Sequence, residues 1–175
     1  LLDELQLAYP ESLAVTKKLP AKPGPLFLGK LLPYQQEGVS WLHSLYQKGL
    51  GGLLADEMGL GKTVQILAFL SLLPTEKILV VAPAAILFNW QKEAEKFFAK
   101  KLYFHSGKKR QPSIAHEQYI VTSYTTLVKD QKLFQPHHFG CIILDESSQI
   151  KNPKSLAANV LFSLKATTRI ALNGT

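Results

Sequence analysis

Hydrophobic positions along this chain alternate between short unbroken runs and stretches repeating at helical spacing. Residues 33–48 carry Val39, Leu42, Leu45 and Tyr46 on one helical stripe, with Pro33 suited to a first turn and Gly49, Gly51 and Gly52 ending the element. A short apolar run, 53–55, leads into a glycine-bearing loop and a helix over about 62–73. Residues 77–82 (KILVVA) read as a fully buried strand stopped by Pro83, and 85–100 as a helix with one polar and one aromatic face. Strands are predicted over 102–105, 119–122, 141–144 and 169–172. Between them lie a basic loop, 106–113, a short helix after Ser123 and a helix over 155–164. Residues 1–29 show no period and are broken by Pro10, Pro20, Pro23, Gly24 and Pro25, so they read as an extended lead-in, with one domain over 30–175. Apolar strands separated by helices predict an α/β fold, a parallel sheet covered on both faces. Ligands bind such sheets at the carboxyl ends of the strands.

The length of 175 residues suits one domain with a real core, and 46% hydrophobic against 19% charged excludes a disordered tail. No apolar run approaches the roughly 18 residues that span a bilayer, and no basic-then-apolar leader is visible, so no membrane partner is expected. The single cysteine, Cys141, excludes an internal disulfide and a cysteine-rich zinc site. It reads as buried filler and fits an intracellular setting; the localisation expected for the chain is bacterial cytoplasm or eukaryotic nucleus. The start at Leu1 and the stop at Thr175 fit a piece of a longer chain.

The net charge of +7 is uneven. Residues 92–110 and 151–175 together carry +9, leaving −2 for the remainder. Clustered cations attract a polyanion such as nucleic acid. Charge alone does not separate that reading from a solvated basic face.

The run Asp56-Glu57-Met58-Gly59-Leu60-Gly61-Lys62-Thr63 follows a strand and opens a helix. Gly59 and Gly61 allow backbone N–H groups to approach a triphosphate, and the helix amino terminus adds partial positive charge. Lys62 suits the β and γ phosphates and the Thr63 hydroxyl suits magnesium. The general phosphate-loop pattern has glycine where Asp56 stands. Eighty-two residues after Thr63, the strand Cys141-Ile142-Ile143-Leu144 ends in Asp145-Glu146. The first carboxylate suits magnesium and the second a proton from attacking water. Trp41, Trp90 and one ring of Phe97-Phe98 read as core. His137-His138 lacks a third metal ligand nearby and points its rings apart.

Taken in order, these motifs resemble the first RecA-like lobe of a Swi/Snf-type ATPase, a duplex-DNA translocase of helicase superfamily two, over residues 30–175. Leu31-Leu32-Pro33-Tyr34-Gln35 is similar to the family's opening segment, which implies that Gln35 contacts adenine. The phosphate loop, from Asp56 through Thr63, is similar to the family's, where an aspartate at this place is ordinary. Val80-Val81-Ala82-Pro83 with Asn89-Trp90 resembles the segment lying near the DNA backbone, and Val121-Thr122-Ser123-Tyr124 a second backbone-tracking segment. The resemblance implies DNA contacts at Pro83, Asn89, Thr122 and Ser123, with Lys108, Lys109 and Arg110 as further candidates. Asp145-Glu146-Ser147-Ser148-Gln149-Ile150-Lys151-Asn152 resembles motif II, and Ala171-Leu172-Asn173-Gly174-Thr175 motif III. Leu32, Ser148 and Asn173 depart from the common family residues. The resemblance implies ATP and magnesium as cofactors and duplex DNA and a second lobe as partners. Because the family's arginine finger comes from that second lobe, it also implies that this lobe hydrolyses ATP poorly alone. Two other readings are a non-catalytic nucleotide-gated binding module and a small phosphate-loop kinase, though no acceptor site or lid is evident.

Overall fold

In the computed structural model, residues 20–57 and 59–174 are described. The expected placements of Met58, Thr175 and most of the lead-in lie outside them. Six strands form one all-parallel sheet: β1 (Gly52–Leu54), β2 (Ile78–Ala82), β3 (Tyr103–His105), β4 (Tyr119–Ser123), β5 (His138–Leu144) and β6 (Lys165–Leu172). Their order across the sheet is β1-β6-β5-β2-β4-β3. The helices are α1 (Pro33–Gln47), α2 (Lys62–Leu70), α3 (Leu87–Phe97), α4 (Tyr124–Lys129), α5 (Gln131–Phe134) and α6 (Leu156–Ser163), with single 3-10 turns at Ala84–Ile86, Gly107–Lys109 and Ser147–Ile150. The expected α/β architecture is therefore present.

Period-two alternation along buried strands divides the interior into two layers. On β2, Ile78, Val80 and Ala82 face a core shared with Val39 and Leu42 of α1, Ile66 and Phe69 of α2, and Trp90 and Ala94 of α3. Leu79 and Val81 face the other layer, filled by Tyr124 and Leu127 of α4, Phe134 of α5, and Val160 and Leu161 of α6. Five consecutive buried residues on β2 thus serve two cores, which is why the run is apolar throughout.

Two strands are longer than their apolar runs. β5 begins at His138 and β6 at Lys165, because each completes the other's ladder from His138↔Lys165 to Leu144↔Ala171. The domain also begins before residue 30. Phe27 is buried in the first core and forms an antiparallel bridge with Phe98, while the Leu28 amide donates to the Phe97 carbonyl at 2.9 Å. Residues 26–29 therefore pack as part of the body. Among the described residues, no helix is long and apolar enough to cross a membrane.

Candidate functional site

Three sequence features meet at the carboxyl edge of the sheet. The phosphate loop leaves β1, Asp145-Glu146 leaves β5, and β6 runs between them. The Asn173 amide, just past β6, donates to the Leu54 carbonyl at 3.2 Å and ties that strand's end to the loop. At the usual strand spacing, β1 and β5 lie about 10 Å apart.

In the loop, Gly59 (φ 87°) and Gly61 (φ 77°) both occupy the left-handed region that favours glycine. Gly61 is the N-cap of α2, and no side chain caps that helix. The first-turn amides thus face the loop unclaimed by a side chain, the arrangement that receives anions. The Lys62 ammonium donates to the carbonyls of Asp56 (2.6 Å) and Glu57 (3.0 Å), folding over the loop. Asp56 needs no left-handed backbone; its carboxylate accepts from Gln65 Nε2 at 3.0 Å. That contact gives a physical reason for aspartate where the general pattern has glycine.

The start of α1 closes over the same loop. Gln35 Nε2 donates to the Leu60 carbonyl at 3.1 Å and its Oε1 accepts from the Leu32 amide at 3.0 Å. The Tyr34 hydroxyl donates to the same Leu60 carbonyl at 3.2 Å. Beside them a cleft of about 310 Å³ is lined by Tyr34, Glu37, Trp41, Asp56 and Gln65. Trp41, expected in the core, is half-buried on its wall.

Asp145 is buried and restrained on every side. Its amide continues the ladder to the Val81 carbonyl (2.8 Å), and its carbonyl accepts from the Tyr124 hydroxyl (2.8 Å). Oδ1 accepts from the Glu146 amide at 2.9 Å and Oδ2 from the Trp90 indole Nε1 at 2.8 Å. Burial, reinforced by the Asp145 and Glu146 charges, holds the Tyr124 hydroxyl un-ionised far above its usual range, so it remains a donor. Glu146 has φ 48°, the one non-glycine residue with positive φ among those described, and its side chain is half-exposed. Such strain persists where surroundings impose it, and it concentrates at functional sites. One turn past Trp90, Glu93 has Oε2 buried without a protein partner. Burial raises its carboxyl pKa, Lys96 opposes the rise, and the Asp145 charge adds to it.

Trp90 is the residue that sequence reading undervalued. It is core, as expected, at 1% exposure, yet it also delivers a donor to Asp145. The available signal was a tryptophan beside Asn89, in a segment already associated with DNA.

The nucleic-acid candidates separate into two groups. Asn89, Lys108 and Lys109 are exposed and Pro83 is half-buried. Arg110 is exposed but ion-paired, with Nη1 at 3.2 and 3.3 Å from the Asp130 carboxylate oxygens. Asp130 also lies 2.9 Å from the buried His105 Nε2. Thr122 and Ser123 need correction as side-chain contacts. Thr122 is fully buried and donates to the His105 carbonyl at 2.8 Å. Ser123, 2% exposed, caps α4 by accepting from the Thr126 amide at 3.1 Å. Both hydroxyls are spent inside the fold. A second cleft, about 830 Å³, lies at the opposite edge of the sheet, between α3, β3 and the basic loop, with Lys100, Lys101, Lys108 and Lys109 among its lining. The His137-His138 pair joins no metal-ligating cluster among the described residues.

Residues 34–175 match the SNF2-related domain family. The chain is 36% identical over 98% of its length to the chromatin-remodeling ATPase INO80 of Arabidopsis thaliana, of which it spans 12%. It is 37% identical over 86% of its length to the helicase SWR1 of Debaryomyces hansenii, spanning 10% of that protein. Among solved structures, the Sulfolobus solfataricus SWI2/SNF2 ATPase core in complex with double-stranded DNA matches with a TM-score of 0.80 at 33% identity, over 90% of this chain and 34% of that one. The chain thus spans about a tenth of these curated relatives and about a third of the solved core.

Proposed function

The chain belongs to the SNF2-related domain family, and from that premise we propose that it is the first, ATP-binding lobe of a motor whose hydrolysis depends on double-stranded DNA. The observation that carries this reading is the uncapped, glycine-formed amino terminus of α2, one strand away from a buried Asp145 and a half-exposed Glu146 on the same sheet edge. The residues fit ATP and magnesium. Helix amides and an ammonium suit phosphate, and a hydroxyl with carboxylates suits a hard cation. When bound, magnesium supplies charge neutralisation at the phosphates.

The chain's own residues then have distinct tasks. Lys62 exchanges the Asp56 and Glu57 carbonyls for phosphate oxygens. Thr63 and Asp145 would hold magnesium. Glu146 accepts a proton from the attacking water at its carboxylate, while Gln35 releases Leu60 to meet adenine. Pro83, Asn89, Lys108, Lys109 and Arg110 contact the duplex backbone, the last after leaving Asp130. Contacts of this kind position the protein without reading bases. A relative solved with double-stranded DNA supports that partner.

Hydrolysis of this type uses an arginine finger worth on the order of a thousandfold or more in rate. It comes from a second lobe, so the 175-residue chain alone turns over ATP very slowly, with or without duplex. Steady-state phosphate release by the purified chain checks this, and DNA-stimulated turnover would refute it. In the full-length protein, Lys62→Ala abolishes DNA-stimulated ATPase. Survival of that activity would remove the phosphate loop from the site.

A further inference from the structure

Asp145 is the most heavily restrained group at the sheet edge, and one of its restraints comes from outside its own neighbourhood. Trp90 lies 55 residues earlier in the chain, on α3, and reaches the carboxylate across the first core. The other carboxylate oxygen is held by the amide of the very next residue, a bond that travels with the loop. Without the indole, Oδ2 would be a buried acceptor with no described side-chain donor, free to rotate away or to recruit water. Trp90 itself is 1% exposed, and a buried indole N–H needs a partner. Apolar packing alone makes no demand for a donor at this place; the 2.8 Å bond is satisfied only by a side chain that has one there.

We propose that Trp90 is a positioning residue for Asp145, its indole N–H fixing the carboxylate rotamer at the end of β5 in which magnesium is held. The inference rests on the reading of Asp145 as a magnesium-holding group. Its substitution therefore acts on the metal-dependent part of nucleotide binding and leaves the metal-free part alone.

The test is a magnesium titration of the binding of a non-hydrolysable ATP analogue to the full-length protein, with thermal unfolding recorded beside it. Trp90→Phe keeps an aromatic ring and removes the donor. It raises the magnesium concentration at half-saturation at least about tenfold, as expected for losing a buried hydrogen bond to a charged group. Affinity without magnesium stays unchanged. Trp90→His retains a ring N–H and recovers part of the magnesium dependence. A Phe variant with wild-type magnesium dependence overturns the proposal, as does a His variant as impaired as Phe. Asp145→Asn is the reference: if it too leaves the magnesium dependence unchanged, the metal assignment of Asp145 fails, and this inference with it. If Asp145→Asn abolishes the dependence while Trp90→Phe does not move it, only the role of Trp90 fails.

Discussion

Gly59 and Gly61 show how one residue type can be demanded for different reasons two positions apart. Both have left-handed φ, where a side chain costs about 1–2 kcal/mol. A Cβ on Gly59 would meet nothing within 4 Å, whereas one on Gly61 would lie 2.6 Å from Gln35 Nε2. Gly59→Ala therefore carries only the backbone cost. Gly61→Ala adds displacement of the Gln35 amide from the Leu60 carbonyl and lowers the thermal midpoint further. Parallel melts of the two variants check the ordering. Equal shifts would mean that Gln35 moves freely and does not close the loop.

At the scale of elements, Ser123 separates a structural role from a contact role. If its hydroxyl serves as the N-cap of α4, Ser123→Ala costs about 1 kcal/mol of stability and leaves duplex affinity and its salt dependence unchanged. Chemical denaturation and a salt-titrated DNA-binding assay measure the two. The element pattern itself was largely legible in the sequence. β2 reads as strand because five consecutive buried residues face two layers, and α2 begins at Lys62 as expected. β5 and β6 were read short because His138 and Gly140 interrupt one apolar run, and Lys165, Thr167 and Thr168 precede the other. Their extension depends on mutual pairing, which local periodicity does not encode. The phosphate loop and acidic pair were legible because their chemistry is contiguous. The Trp90–Asp145 bond was not, since it joins residues 55 apart on different elements. For Thr122 and Ser123, a hydroxyl at a strand end suits solvent and cap alike, so the sequence does not separate the two roles.

The whole molecule has a predictable response to alkaline pH. Burial pushes the Cys141 thiol from its ordinary 9.0 up to about 12. Burial also raises Tyr46, Tyr103, Tyr119 and Tyr124. As pH rises, the unfolded chain loses these protons first, so it binds fewer than the native state between the unfolded and folded pKa values. The stability these five groups contribute is thus fully present below about pH 9 and falls above it, while Lys77, lowered by burial, opposes the fall. Urea midpoints at about pH 8 and about pH 10.5 should differ in that direction. A midpoint independent of pH would contradict it. The sheet order has a mechanical consequence as well. The phosphate loop hangs from β1, a three-residue strand registered, among the described residues, only to β6, whereas the acidic pair hangs from β5, flanked by β2 and β6. One jaw of the site is therefore anchored in a strand paired on both sides and the other in a short strand paired on one, the kind of segment from which low-free-energy local opening is drawn. On the proposed reading, a phosphate chain gripped between them would brace β1, so that nucleotide exchange and fraying of that strand would become a single motion.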